Sequence, residues 1–118
     1  MNQSMINFLV VFLGGGFGAC SRFAISLLIK TMGTRLWLGT LMANLIGCLI
    51  FFLISKVDLR SGEWQLLFKV GVLGSLTTFS TFTFEVVSLM KAGRIMESAL
   101  VLFLNIFVGI IIGIWVLR

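Results

Sequence analysis

The densest chemistry in the chain lies between Gly71 and Phe84, in the run Gly-Val-Leu-Gly-Ser-Leu-Thr-Thr-Phe-Ser-Thr-Phe-Thr-Phe. Six hydroxyl residues occupy nine positions from Ser75 to Thr83, inside a stretch flanked by Lys69 and Lys91. Ser and Thr side chains bond nearby backbone groups and so compete with the helical ladder. Gly74 lowers the cost of leaving that ladder. One or two such residues would simply bond back to their own helix. Six predict a break in it. Freed carbonyls are ligands for a cation, whereas freed N–H groups and hydroxyls are donors for an anion.

Other residues could take part. Phe79 and Phe82 are three apart and share a helical face, with Phe84 off it. An aromatic ring is negative on its face and positive at its edge, so two edges along a narrow path would attract a small anion. With twelve Phe in the chain, space filling explains the same spacing. Thr40 and Asn44 share a face of the preceding apolar run. Asn44 offers two N–H donors where an unpartnered amide is costly, and Asn105 repeats the theme later in the chain. Interhelical hydrogen bonding is the competing role for both Asn residues. Arg22 and Glu85 are the ionisable residues deepest within apolar runs. Such residues are expensive and functional by default; they are expected to pair with each other, or Arg22 to line a wet vestibule.

The elements that must position these side chains follow from hydropathy. Of 118 residues, 59% are hydrophobic and 11% charged, far from the composition of a soluble domain. Four apolar runs, about 5–29, 36–55, 70–90 and 98–117, are each long enough to cross the roughly 30 Å hydrocarbon core at about 1.5 Å per residue. Short connections make neighbouring helices antiparallel. The expected fold is therefore an all-α integral membrane protein, one four-helix domain over residues 1–118, with the break in its third helix. The small-residue pairs Gly14/Gly18, Ala43/Gly47 and Gly109/Gly113 predict close helix contacts. Phe17-Gly18-Ala19-Cys20 loosely imitates a lipoprotein cleavage site, but no Lys or Arg precedes it, so the segment is read as a mature helix. Cys20 and Cys48 are expected as free thiols.

Net charge is +5, yet the basic residues sit at the ends of apolar runs, which indicates interfacial anchoring and not nucleic acid. Lys56, Arg60, Lys69 and Arg118 fall to one side, and Lys30, Arg35, Lys91 and Arg94 to the other. The positive-inside rule reads bias in such loops, and four against four has none. A chain without bias is able to insert both ways, which permits an antiparallel, dual-topology homodimer.

Three motifs now resemble a known family. Gly15-Gly16-Phe17-Gly18-Ala19-Cys20-Ser21-Arg22 is similar to the first-helix motif of the Fluc (CrcB) fluoride channels. Gly39-Thr40 with Asn44 and Gly47 resembles their second-helix motif. Gly74-Ser75-Leu76-Thr77-Thr78-Phe79-Ser80-Thr81-Phe82, followed by Glu85, resembles their third-helix signature. The resemblance implies a dual-topology homodimer in the bacterial inner membrane that exports fluoride passively from the cytoplasm and protects the cell. It also implies pore phenylalanines at Phe79 and Phe82 and a polar track through Thr40 and Asn44, to which Ser80 is assigned. A structural sodium ion at the dimer interface would be held by main-chain carbonyls near Gly74 and Thr77. The fourth-helix polar position, often Ser in the family, is Asn105 here.

A small multidrug transporter has similar size and topology, but its proton coupling needs a first-helix carboxylate, and no Asp or Glu precedes Asp58. A membrane scaffold would not need a hydroxyl-dense break. No nucleophile–base set or metal constellation points to an enzyme.

Overall fold

The computed structural model describes residues 1–57 and 62–118, so Arg60 of the charge count lies outside the described residues. Four helical runs are long and apolar enough to cross a membrane: Gln3–Thr31, Trp37–Lys56, Gly62–Lys91 and Ile95–Val116. The first is α1 and the second α2. The third comprises α3 (62–76) and α4 (Phe79–Lys91), and the fourth is α5. The third run begins at Gly62, eight residues before its apolar core, and places Lys69 inside the helix instead of in the preceding loop. Glu63 in its first turn suits the positive end of a helix.

Local chemistry sets the ends. The Asn2 side chain accepts the Met5 N–H at 2.9 Å and caps α1. Gly33 and Gly93, at φ 66° and 75°, take the left-handed conformation that turns the chain after α1 and α4. Between α3 and α4, Thr77 (φ −83°, ψ 152°) and Thr78 (φ −149°, ψ 118°) are extended. Two stretches are wound more loosely, with i→i+5 bonding: Leu66–Leu73 in α3 and Leu104–Val108 in α5. In the second, the Asn105 Nδ2 donates to the Val101 carbonyl at 3.0 Å, a side chain inserted into the ladder.

The small-residue pairs mark the tightest contacts. Gly14 and Gly18 are buried in α1 against the loosely wound part of α3. A Cβ on Gly18 would collide with the Val72 carbonyl, and one on Gly71 would lie 2.9 Å from the Gly14 Cα. Ala43 and Gly47 are buried where α2 meets the extended link, and a Cβ on Gly47 would run into the Thr77 methyl. Gly109 and Gly113 let α5 close on Cys48 and Phe52 of α2. Cys20 and Cys48 are both free thiols.

Two small cores flank the extended link. Ala43, Leu73 and Leu76 pack with Ile25, Ile46, Ile50 and Ile54, while Phe82, Leu89 and Val101 pack with Trp37 and Val86. Many large apolar side chains, Phe8, Phe12, Phe23 and Trp115 among them, face outward, as expected where lipid is the solvent. Because α1 rests backbone on backbone against α3, Gly18→Val should cost at least about 1–3 kcal/mol through overpacking. Gly16, with nothing within 4 Å of its Cβ position, should accept Ala without loss. Thermal unfolding in detergent, followed by size-exclusion chromatography, compares the two.

Candidate ion pathway

The extended link is held from across the bundle by one side chain. The Asn44 Oδ1 accepts the Thr78 N–H at 2.8 Å, and the Asn44 Nδ2 donates to the Thr78 carbonyl at 3.2 Å. The amide thus pairs with both backbone groups of Thr78 as a neighbouring strand would. The second Nδ2 hydrogen goes to Asn105 Oδ1 at 2.8 Å. Asn105 is anchored in turn on the Val101 carbonyl. The network joins α2, α5 and the link between α3 and α4. Both Asn44 donors are used, so interhelical bonding accounts for them fully.

Thr78 also caps α4. Its Oγ1 accepts the Thr81 N–H at 3.3 Å and donates to the Thr81 hydroxyl at 3.1 Å. The two diversions have a specific consequence for the ladder. The Thr78 N–H would reach the Gly74 carbonyl in a continuous helix, and the Thr81 N–H would reach that of Thr77. Both donors go elsewhere, to Asn44 and to Thr78 Oγ1. Gly74 and Thr77, the two carbonyls expected from the resemblance as cation ligands, are thus among the carbonyls before α4 that lose their i+4 donors, together with Ser75 and Leu76, whose donors would be the first N–H groups of α4. Uncharged oxygens suit a hard cation, so the residues fit such an ion chemically. The Leu73 carbonyl, by contrast, takes both the Thr77 N–H at 3.1 Å and the Thr77 hydroxyl at 2.8 Å.

A groove of about 350 Å³ opens beside the link. Asn44, Gly74, Thr77, Phe79, Phe82 and Asn105 all line it. The Phe79 and Phe82 rings meet edge to face, centroids 5.7 Å apart and planes at 68°. Phe82 is buried in the lower core, whereas Phe79 is 76% exposed in the single chain. Ser80 is exposed at the start of α4, its hydroxyl 3.4 Å from that of Thr78. Thr83 serves the backbone more locally, donating to the Ser80 carbonyl at 3.0 Å.

Thr40 lies away from this groove. It is buried, and its hydroxyl donates to Glu85 Oε1 at 2.6 Å, tying α2 to α4. Glu85 Oε2 and Arg22 Nε are both buried without a hydrogen-bond partner among the described residues. Arg22 and Glu85 do not pair with each other: the ion pairs among the described residues are Arg35–Glu97, at 3.6 Å, and Arg94–Glu97. The reason is topological. α1 packs along α3 and α2, whereas Glu85 sits on α4, beyond the extended link. Arg22 lies nine residues before the end of α1 and Glu85 six before the end of α4, which gives the two comparable depth but different neighbours.

Residues that spacing did not single out complete the picture. The Trp37 indole donates to Glu97 Oε1 at 2.8 Å, so Glu97 gathers Trp37, Arg35 and Arg94 at one end of the bundle. At the other end the Lys56 Nζ donates to the Val116 carbonyl at 2.9 Å, satisfying the end of α5.

Replacing Asn44 by Leu keeps the volume but strips Thr78 of both partners and Asn105 of one. Leaving buried polar groups unmet costs about 1–3 kcal/mol each, so Asn44→Leu should be among the most destabilising changes in the chain. A thermal-stability cycle with Asn105→Ala should give a coupling of about 0.5–3 kcal/mol. Additive losses would mean that the two amides act separately.

Comparison with known proteins agrees with this architecture. Residues 9–116 match the family described as CrcB-like protein, Camphor Resistance (CrcB). A protein of Serratia proteamaculans named fluoride-specific ion channel FluC is 41% identical over 102 residues, covering 83% of this chain and 80% of its own. A protein of the same name from Photobacterium profundum is 41% identical over 103 residues, 83% and 81% of the two chains. One from Chlorobium phaeobacteroides is 38% identical over 107 residues, 87% and 84%. The match runs through all four spans and includes the extended link with its asparagine clamp, and the chain belongs to the CrcB family.

Proposed function

We propose that this chain is a fluoride-selective channel of the bacterial inner membrane that lets the ion leave the cytoplasm passively and so protects the cell. The observation that carries the reading is the edge-to-face pair of Phe79 and Phe82 in the groove where α4 begins. Ring edges carry partial positive charge. The first N–H groups of a helix, with its dipole, favour an anion at the same place. Asn44 and Asn105 supply the polar wall of the groove, with Asn44 acting chiefly by fixing the backbone around Thr78, while Ser80 stands at the start of α4 and Thr40 continues the polar track outside the groove through Glu85. In this reading the interruption at Thr77–Thr78 is a functional break. The names of the relatives, fluoride-specific ion channels, point to the same ion. A proton-coupled drug transporter is not favoured, for want of a carboxylate in α1.

The working unit in this reading is an antiparallel dual-topology homodimer. The open groove and the 76% exposure of Phe79 support it, because a second copy would cover the ring and close the path. The even distribution of basic residues supports it as well. A structural sodium ion between the copies would take the Gly74 and Thr77 carbonyls as ligands and neutralise their dipoles where the two links meet. Arg22, with its unpartnered Nε, would sit in a vestibule that gathers anions.

Reporters fused after Arg118 should reveal both orientations within one population. Two or three Lys added to a single loop should force one orientation and abolish function, and an oppositely biased copy should restore it. A single clean orientation at native expression would rule out the antiparallel dimer.

Fluoride efflux from proteoliposomes, with chloride as control, tests the channel itself. Phe79→Leu and Phe82→Leu should each lower the fluoride flux by about tenfold or more, equivalent to ~1.4 kcal/mol in a barrier. As apolar swaps they should cost under about 1.5 kcal/mol in stability. Phe84→Leu, on an outward-facing ring, is the internal control. Near-normal flux in both variants would leave the polar wall as the sole means of recognition.

A further inference from the structure

Lys69 is the one cationic side chain among those lining the groove. Placed within α3 and not in the loop before it, it stands about 12 Å from Thr77 along the helix, at about 1.5 Å per residue. It immediately precedes the apolar run that begins at Val70, and so stands at the edge of the apolar part of the span. The side chain is half-buried, and its Nζ lies over the Phe51 ring, 5.7 Å from the centroid. No carboxylate among the described residues pairs with it: both ion pairs there belong to Glu97, at the other end of the bundle.

A lysine at this depth would ordinarily snorkel to the interface as an anchor. Lys69 differs in direction and company. It faces the groove shared with Asn44, Phe79, Phe82 and Asn105. The Phe51 face holds the ammonium by cation–π attraction, which supplies no formal counter-charge, and none pairs with it among the described residues. An uncompensated charge in a low-dielectric cleft focuses the field and raises the local concentration of counter-ions.

We propose that Lys69 is a positioning residue for anion entry: its ammonium, fixed over Phe51, gathers the small anion at the mouth of the groove and delivers it toward Phe79 and Phe82. The inference rests on the channel reading above. The role is electrostatic, so it depends on charge and ionic strength and little on shape.

Initial fluoride efflux rates from proteoliposomes, measured against fluoride concentration at low and high ionic strength, test it. At low fluoride and low salt, Lys69→Gln and Lys69→Met should each lose flux about threefold to tenfold, and Lys69→Glu should lose more. Lys69→Arg should stay near the unmodified protein. The gap should narrow as fluoride saturates or salt screens the charge. Met keeps the apolar stem over Phe51, and size-exclusion profiles check that each variant is folded. Equal rates for the Gln, Met and Glu variants and the unmodified protein at low fluoride would overturn the inference. So would losses that Arg shares or that salt does not alter, since they would mark Lys69 as a packing anchor. An unmodified protein that passes no fluoride would overturn the channel reading itself, a result distinct from either.

Discussion

The Asn44 amide pairing with both backbone groups of Thr78 is the interaction on which the rest of the structure depends. Backbone that turns extended within an apolar span exposes N–H and C=O groups where no water can meet them, and each unmet group costs several kcal/mol. A side-chain amide carries the same donor and acceptor as a peptide unit, so one residue replaces one missing strand. Asn105 fixes the orientation of that amide by taking its second N–H. The loosened winding of α5 around Leu104–Val108 accompanies the insertion of Asn105 into its own ladder. One local irregularity therefore supports another.

Close approach is the second requirement. Asn44 reaches Thr78 only because α2 comes near enough, and Gly47, one turn on, admits the Thr77 methyl where a Cβ could not fit. On the far side Gly14 and Gly18 let α1 press against the loosely wound part of α3, which holds the half of the third span that ends at the link. The same small residues that bring the helices together in lipid thus fix the position of the interruption.

Much of this was legible in the sequence, and the reasons differ from residue to residue. The four spans follow from hydropathy, since lipid contact demands long uncharged runs. Phe79 and Phe82 share a face because helical period requires it, and the structure brings their rings together. The start of the third helix at Gly62 was hidden, because Gly-Glu-Trp-Gln reads as a polar loop while helical geometry continues into the interface. The Arg22–Glu85 pairing failed because depth along two helices does not say whether they are neighbours. The clamp on Thr78 was hidden more deeply. Asn44 and Asn105 are 61 positions apart, and donor chemistry alone left interhelical bonding as a competitor to pore lining.

The fates of the hydroxyls sharpen the reading of the groove. Thr77 and Thr83 bond back to carbonyls three or four residues earlier, the behaviour expected of Ser and Thr in an ordinary helix. Thr78 does the opposite and withdraws a donor from the ladder to cap α4. The extended conformation at Thr77 and Thr78 therefore does not come from hydroxyl density as such. It comes from one threonine placed opposite one asparagine, with a glycine beneath. Near the link the groove wall is polar through Asn44, Thr77, Thr78 and Asn105 and carries no formal charge there, so that in the proposed path a small anion meets oriented dipoles and ring edges. A charge at that depth would bind the ion too well to release it, because conduction requires sites weak enough to leave. In the proposed path a cation is therefore better placed away from the link, and Lys69 in α3 lies eight residues before Thr77 while Phe79 follows the link directly.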